Sequence, residues 1–267
     1  MLALAVLLMG MTPAWAQSPQ RVVTVNLCLD QLALRLAAPG QLVGVSYLSH
    51  DPRISVLAEE ARVIAPVRAQ VESILALKPD LVILDSSSHA TIKRLLRLAG
   101  VTLLEVPWAA SLEESESLIA RMAAAMGREA VGEKLIADMR QQRQALTWQG
   151  APRATAAVLD ANRGTSGRGS LMDELLRLAG FRNLAAELGV QAYGRLSMET
   201  VIANRPDFLV LDGGGNAAPS HATEFVDSRA LRSLAGHARV VSVPFKLSIC
   251  AGPENLDVVR LLAEARR

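Results

Sequence analysis

The sequence predicts an α/β fold of two Rossmann-like lobes with mostly parallel sheets, joined by one long rigid α-helix. Three observations lead to this prediction. Apolar runs typical of buried strands alternate with amphipathic stretches in both halves of the chain. A long stretch between the halves has almost no strand character. One segment, a helix followed by Pro-Asp and a strand, occurs twice, at residues 71–85 and 198–212.

Residues 1–16 have the pattern of an export signal. An apolar run from Leu2 to Met11 is followed by Ala14-Trp15-Ala16, which forms an A-x-A cleavage site. The run is too short to cross a bilayer as a permanent helix. We therefore expect a signal peptide that is cleaved before Gln17, and an exported mature protein.

The N-terminal lobe is predicted to span residues 17–110. Its strands and helices alternate in the manner of a parallel sheet covered by helices. In chain order they are a strand in "RVVTVNLC", a helix from about Asp30 to Ala38, a strand in "QLVGVSY", the first copy of the repeat, a helix near Ile92 to Leu98, and a strand from Val101 to Val106.

The repeat reads "VESILALKPDLVILD" in its first copy and "METVIANRPDFLVLD" in its second. A short amphipathic helix comes first, and the proline stops it because proline cannot continue a helix and disfavours helical geometry in the preceding residue. A short apolar run follows, typical of a strand that is buried on both faces. Two copies indicate two similar halves, and they are too few for a solenoid.

Residues 111–150 are predicted to form the helical connector. Ser111 begins the first helix as its N-cap, and Glu114 completes a capping box. The second helix, in "REAVGEKLIADMRQQRQALTWQ", has apolar residues at helical spacing. At 1.5 Å per residue it is a rod of roughly 30 Å, about the width of a small lobe.

The C-terminal lobe is predicted to span residues 151–267, where the alternation resumes. In order come the strand "ATAAVLD", the helix "SLMDELLRLAG", the second copy of the repeat, the strand "RVVSVP" and the closing helix "NLDVVRLLAEARR". The lobes are therefore connected once, through the helical stretch.

The composition of the chain excludes some classes of function. Hydrophobic residues make up 51% and charged residues 20% of the chain, which provides for a large core. The formal net charge of +2, without a basic stripe interleaved with aromatics, gives no case for a nucleic-acid partner. The two cysteines, Cys28 and Cys250, remain after export and permit a disulfide, with two separate buried thiols as the alternative.

The order and spacing of these segments resemble the helical-backbone class of periplasmic substrate-binding proteins, which serve ABC importers of iron–siderophore complexes, haem and cobalamin. The resemblance covers residues 21–267 and includes "RVVTVNLCLDQLALRLA", "LVGVSYLSHDP", both repeats, the connector, "LMDELLRLAGFRNLA" and "CAGPENLDVVRLLAEA". It implies a periplasmic monomer without cofactor or enzymatic activity. Such a protein captures a metal chelate between its lobes and delivers it to a permease dimer with its ATPase.

Ligands of two-lobe α/β proteins bind in the crevice outside the carboxyl ends of the strands. The loops at those ends supply the predicted ligand-binding residues: Cys28, Tyr47, His50, Ser88, His89, Trp108, Arg163, Arg168, Tyr193, Lys246 and Cys250. The three aromatic side chains suit a flat macrocycle or chelate, and the alternative is that they cover lobe edges. The three cations could meet carboxylate or phosphate groups, and the alternative is plain solvation.

The resemblance also assigns Glu72 and Glu199 a role. By position they match the glutamates that, in the resembled class, dock on arginines of the permease. Two carboxylates on opposite lobes would fix orientation and speed encounter. The alternative is that each stabilises the N-terminus of its own helix.

Two other functions are considered. A bare metal ion could be held by His50, His89, Cys28 and Cys250, although no H-x-H or C-x-x-C spacing supports such a site. A hydrolase could use Asp85, Ser86 to Ser88 and His89, which include all three residue types of a catalytic triad. Those residues are consecutive, however, whereas a triad is assembled from separate segments. A polar loop before the next helix is the favoured interpretation.

Overall fold

The computed structural model describes residues 18–152, 154–160, 164–213 and 238–267. Its first half forms a sheet of five parallel strands in the order β3-β2-β1-β4-β5. The strands are β1 (Val22–Thr24), β2 (Leu42–Ser46), β3 (Ala65–Val67), β4 (Leu81–Asp85) and β5 (Thr102–Val106).

The second half forms a separate sheet of four parallel strands in the order β11-β10-β6-β8. A small antiparallel pair, β7 with β9, lies beside it. The strands are β6 (Ala154–Asp160), β7 (Gly164–Ser166), β8 (Phe181–Asn183), β9 (Tyr193–Arg195), β10 (Phe208–Asp212) and β11 (Arg239–Val243).

Helices cover both sheets and fill the stretch between them. They are α1 (Leu27–Leu36), α2 (Ala58–Ala61), α3 (Val71–Leu75), α4 (Ala90–Leu98), α5 (Leu112–Met126), α6 (Glu129–Leu146), α7 (Leu171–Leu178), α8 (Leu184–Glu187), α9 (Met198–Asn204), α10 (Phe245–Ser248) and α11 (Asn255–Ala265), with a 3₁₀ helix at Tyr47–His50. No helix in the described ranges is long and apolar enough to cross a membrane.

The two sheets share one topology. In the first, β1 lies between β2, which follows it, and β4, which ends the first copy of the repeat. In the second, β6 lies in the same way between β8 and β10. The chain therefore reverses its winding direction between β1 and β4 and again between β6 and β10. Crevices for ligands in parallel sheets form at such switch points.

Each copy of the repeat fastens its strand to the centre of its sheet. Lys78 and Arg205 have left-handed backbones, with φ of 46° and 45°, and end the helical segment immediately before proline. The Asp80 carboxylate accepts backbone N–H bonds from the start of β1, at 2.7 Å from Gln20 and 3.0 Å from Arg21. Asp207 accepts the N–H of Thr155 in β6 at 2.8 Å. The repeated Pro-Asp thus sets the register of neighbouring strands.

The connector contains the two helices that the sequence predicts. Ser111 Oγ accepts the Glu114 N–H at 3.1 Å, while the Glu114 carboxylate accepts the Ala110 N–H at 2.6 Å. Gly127 separates α5 from α6 in a left-handed conformation, with φ of 66°. The helices cross closely at Gly132, where a Cβ would lie 2.5 Å from that of Ala123. α5 packs on α1 and α6, and α6 packs on α11.

One apolar core runs through both lobes. Residues of β1, α1, α5, β6, α7 and α11 belong to the same buried cluster. Smaller clusters fill the outer layer of each sheet. The lobes are consequently packed on each other through helices at the back of the cleft.

Candidate functional site

Residues at the carboxyl ends of strands in both sheets line recesses in a cleft between the lobes. At the first switch point lie Asn26, which caps α1, and Asp85, the last residue of β4. Together with Cys28 and Trp108 they line a small recess that Ala251 of the second lobe closes. This recess lies at the strand ends between the lobes, which is the location that the sequence predicts for ligand binding.

The larger cavity of the cleft has a volume of about 350 Å³. Its floor is apolar and comes from the second lobe: Val158, Leu171, Met172 and Leu175. Three aromatic rings stand around it. Trp108 reaches in from the first lobe and is 55% exposed, and Tyr193 and Phe245 of the second lobe are 68% and 40% exposed. Large exposed rings around an apolar floor are suited to hold a flat ligand.

Two carboxylates occupy the second switch point. Asp160 and Asp212 are the last residues of β6 and β10 and are paired in register, and both line the cavity. Ser248 Oγ donates to Asp212 Oδ1 at 2.5 Å, and the Gly164 N–H donates to Asp160 Oδ1 at 2.7 Å. Burial raises the pKa of Asp212, the Ser248 bond opposes the shift, and the charge of Asp160 raises it further.

Asp85 occupies the equivalent position in the first copy of the repeat but has a different environment. Its carboxylate accepts the N–H and the hydroxyl of both Ser87 and Ser88. Although burial raises the pKa of Asp85, the bonds from Ser88 and Ser87 outweigh it, so the pKa is lowered. His89 follows in a left-handed conformation at the start of α4. The loop is therefore a polar turn, as the sequence predicts.

Tyr47 and His50 lie in the 3₁₀ helix after β2. Tyr47 is exposed, and the Arg68 guanidinium lies 4.6 Å from its ring centroid. His50 is half-buried, and its Nε2 has no hydrogen-bond partner among the residues that the structure describes. Neither side chain lines the larger cavity, so these two predicted ligand-binding residues lie apart from it, after the carboxyl end of β2.

A buried carboxylate, that of Asp30, holds the segment around the end of β2 in place. Asp30 accepts hydrogen bonds from the hydroxyls of Thr24 and Ser49, and from the Ser46 N–H at 3.0 Å. It ties α1 to β1 and to the end of β2. Burial raises the pKa of Asp30 to about 7, against the lowering effect of these bonds.

Two of the three predicted cations, Arg168 and Lys246, are absent from the described lining of the cavity. Arg168 donates to the Ala186 carbonyl at 3.0 Å, which directs it to the protein's own backbone. Lys246 is a partly exposed residue of the short α10 and is absent from the described lining. Arg163 lies outside the described residues. The charged side chains of the described lining are Asp160 and Asp212.

The two cysteines form a disulfide, with an S–S distance of 2.11 Å. Cys28 is in the first turn of α1, and Cys250 lies between α10 and α11, so the bond joins the lobes at the base of the cleft. Ser115 Oγ donates to the Ala251 carbonyl at 2.9 Å, and Arg35 pairs with buried Glu254 at 3.1 Å. We call this group of contacts the inter-lobe seam.

The disulfide bears on the metal alternative, because neither cysteine can supply a thiolate while the bond is intact. Within the described ranges, no group of three or more His, Cys, Asp or Glu side chains is placed to hold a metal ion.

Glu72 and Glu199 occupy matching positions. Each is exposed and lies in the first turn of its helix, Glu72 in α3 and Glu199 in α9. The helices belong to different lobes, so the two carboxylates form a separated pair on the outside of the protein.

Sequence reasoning missed the acids of the cavity. Asp160 and Asp212 each end a predicted strand, and Asp212 also ends the repeat, which is the signal that could have identified them. It also missed the contact of Arg68 with the Tyr47 ring, because no local pattern shows that the end of β3 lies beside Tyr47.

Comparison with known proteins is consistent with this architecture. A family model for periplasmic binding proteins matches residues 22–239. The uncharacterized ABC transporter substrate-binding lipoprotein YvrC of Bacillus subtilis is 25% identical over 260 residues, which cover 93% of this chain and 80% of that protein. A cobalamin-binding protein of Halobacterium salinarum is 26% identical over 232 residues, or 82% of this chain and 61% of that protein, so the chain spans less than two thirds of its length.

Solved structures show the same fold. A periplasmic heme-binding protein from Pseudomonas aeruginosa superimposes with a TM-score of 0.72 at 23% identity, covering 92% of each chain. At this identity the likeness concerns the fold alone. Because the family model matches most of the chain, the protein belongs to the periplasmic binding protein family, whose members bind substrates for transport and are not enzymes.

Proposed function

We propose that the protein captures a metal chelate (a ferric siderophore, haem or a corrinoid) in the cleft and delivers it to the permease dimer of an ABC importer. The observation that carries the proposal is the ring of Trp108, Tyr193 and Phe245 around an apolar floor. Exposed aromatic side chains gathered at one concave surface mark a binding site, because water solvates them poorly. The relative from Halobacterium salinarum named above is a cobalamin-binding protein, which supports the same class of cargo.

Capture requires no chemistry. The macrocycle or chelate would stack on the rings and rest on Val158 and Leu175, while Trp108 closes over it from the first lobe. The cavity volume of about 350 Å³ is at the lower end of the range for small-molecule pockets, roughly 300–1,000 Å³. We therefore infer that part of a large chelate would remain in the open cleft.

For location and organisation we propose what the sequence predicts. We infer that residues 1–16 are removed on export to the periplasm, leaving a monomer with lobes at 17–110 and 151–267 around a connector at 111–150. The disulfide between Cys28 and Cys250 supports an oxidising compartment.

Docking would use Glu72 and Glu199. Their support is geometric: both are exposed, both lie in first helical turns, and they belong to different lobes. Each would pair with a basic side chain of the permease, and two separated contacts would fix the orientation of the loaded protein on the importer.

A ligand panel tests capture. The mature protein, from Gln17 onward, is mixed with cyanocobalamin, haemin, ferric siderophores and zinc, and thermal stability and tryptophan fluorescence are followed. A chelate at 100 times its Kd should stabilise the folded state by about 2.7 kcal/mol. Trp108→Ala should abolish quenching and weaken binding, whereas Trp148→Phe, far from the cleft, should leave affinity unchanged. Stabilisation by zinc alone, or by nothing in the panel, would contradict the proposal.

A further inference from the structure

One wall of the larger cavity is tied to the opposite lobe. The wall belongs to residues 245–255, which run from α10 into the first residue of α11 and which we call the wall segment. Its side chains in the cavity lining are Phe245, Ser248 and Ile249. Cys250, the next residue, forms the disulfide with Cys28 of α1. The cavity wall is therefore one residue away from a covalent bond to the first lobe.

The wall segment is held together by one buried side chain, that of Asn255. Its Nδ2 donates to the carbonyls of Leu247 at 2.8 Å and Cys250 at 2.9 Å. Its Oδ1 accepts the Gly252 N–H at 2.7 Å. These bonds connect α10, the loop that carries Cys250 and the start of α11. Because the segment is bonded internally in this way, whatever holds Cys250 in place also holds α10 and its side chains in the cavity.

The disulfide differs in kind from the other contacts of the inter-lobe seam. Ser115 and Ala251 share a hydrogen bond, which bonds to water can replace. Arg35 and Glu254 form an ion pair, which is likewise noncovalent. The disulfide keeps the α-carbons of the two cysteines 5.2 Å apart. Within the seam it is therefore the contact that thermal motion does not open.

The other end of the disulfide lies beside the tryptophan that the first lobe places in the cavity. Trp108 lines both the larger cavity and the small recess. Cys28 lines the same recess, together with Ala251 of the wall segment. The disulfide thus connects the neighbourhood of Trp108 with that of Ile249, on the other side of the site. Holding both sides of a site in place before a ligand arrives raises affinity, because less freedom is lost on binding.

We propose that the disulfide between Cys28 and Cys250 is a positioning element of the binding site, which holds the wall segment at a fixed distance from Trp108. Breaking the bond frees the wall segment and weakens ligand binding in a protein that remains folded. The effect on binding rests on the proposed capture function, whereas the restraint on the wall segment does not.

Distances between spin labels test the restraint without a ligand. Nitroxides are attached through ketone-bearing residues introduced at Lys246 of the wall segment and at exposed Arg94 of α4, so that the native cysteines are left unlabelled. The width of the distance distribution is measured by pulsed electron paramagnetic resonance for the wild type and for Cys28→Ser/Cys250→Ser. We expect the width to increase about twofold in the disulfide variant.

Met139→Ala separates release of the wall segment from a general loss of stability. Met139 is buried in α6 and is absent from the described linings of the cavity and the recess. This variant weakens the core but keeps the disulfide, so its distance distribution should match that of the wild type. Cys28→Ala/Cys250→Val fills the site of the sulfurs with small apolar side chains and is used if the serine variant does not fold.

Binding is then measured for the same proteins without labels. The probes are cyanocobalamin and haemin, and tryptophan quenching gives the Kd and the dissociation rate at a temperature where circular dichroism shows each protein to be folded. For a probe that binds the wild type, we expect the disulfide variant to bind about tenfold more weakly, mainly through faster dissociation. Met139→Ala should bind like the wild type.

Each outcome decides the matter. An unchanged width, an unchanged Kd of a bound probe, or an equal change in Met139→Ala would overturn the proposal and leave capture intact. If neither probe binds the wild type, capture of these chelates fails, and the distance distributions still decide whether the disulfide holds the wall segment.

Discussion

Removing the disulfide of the inter-lobe seam should cost the protein several kcal/mol of unfolding free energy. Cys28 and Cys250 are separated by 222 residues, so the bond closes almost the whole mature chain. In the chain-entropy relation, a loop of this length lowers the entropy of the unfolded state by about 18 cal/mol/K, or about 5 kcal/mol at 25 °C. Native disulfides typically contribute about 2–5 kcal/mol when removed, and we therefore expect a loss of about 3–5 kcal/mol.

The assay is urea unfolding of three samples. They are the double variant Cys28→Ser/Cys250→Ser, the wild type in dithiothreitol, and the oxidised wild type as the reference. The reduced wild type is the matched control, because it breaks the same bond without changing a side chain apart from the sulfurs. The double variant and the reduced wild type should unfold at similar urea concentrations, which should be lower than that of the oxidised wild type. If either unfolds within about 1 kcal/mol of the oxidised protein, the loop-closure reasoning does not hold for this bond.

The remaining predictions concern docking and pH. Glu72→Gln/Glu199→Gln should slow association with the reconstituted cognate permease by about tenfold at low salt, while chelate affinity stays constant, because long-range attraction sets the encounter rate. Glu113→Gln/Glu133→Gln, an exposed pair on the connector, should associate like the wild type, and an equal loss in both variants would contradict docking by the named pair. Asp30 has a folded pKa of about 7 against 3.8 as its ordinary value. The contribution of protonated Asp30 to the free energy of unfolding is complete below pH 4, and it is lost as the pH rises through 7. Between pH 5 and 8 the wild type should therefore lose about 3 kcal/mol of unfolding free energy relative to Asp30→Asn, measured by urea titration at each pH. Parallel pH profiles of the two proteins would show that Asp30 does not titrate in this range.

The sequence predicted the fold well where local chemistry decides the outcome. Proline after Lys78 and Arg205 ends two helical segments, and the apolar runs that follow are buried strands. Ser111 caps α5 as its hydroxyl chemistry predicts. These features depend on residues close in sequence, so a linear pattern is enough to find them.

The site was only partly predictable, because side chains choose partners in three dimensions. Trp108 and Tyr193 line the cavity as expected, but Arg168 bonds to a backbone carbonyl of α8, which no local pattern shows. The pairing of Cys28 with Cys250 was one of two alternatives, since spacing does not reveal the distance between α-carbons. Asp160 and Asp212 meet only because β6 and β10 are neighbours in register.

The position of α5 and α6 has a consequence for how the chain folds. These two helices stand at the middle of the sequence, with α5 packed on α1 of the first lobe and α6 packed on α11 of the second. A chain that emerges N-terminus first can complete its first sheet and this helical pair from nearby segments alone. The exposed face of α6 then awaits α11, which arrives last and brings Cys250 to Cys28. Formation of the disulfide would thus indicate that the second half of the chain has assembled.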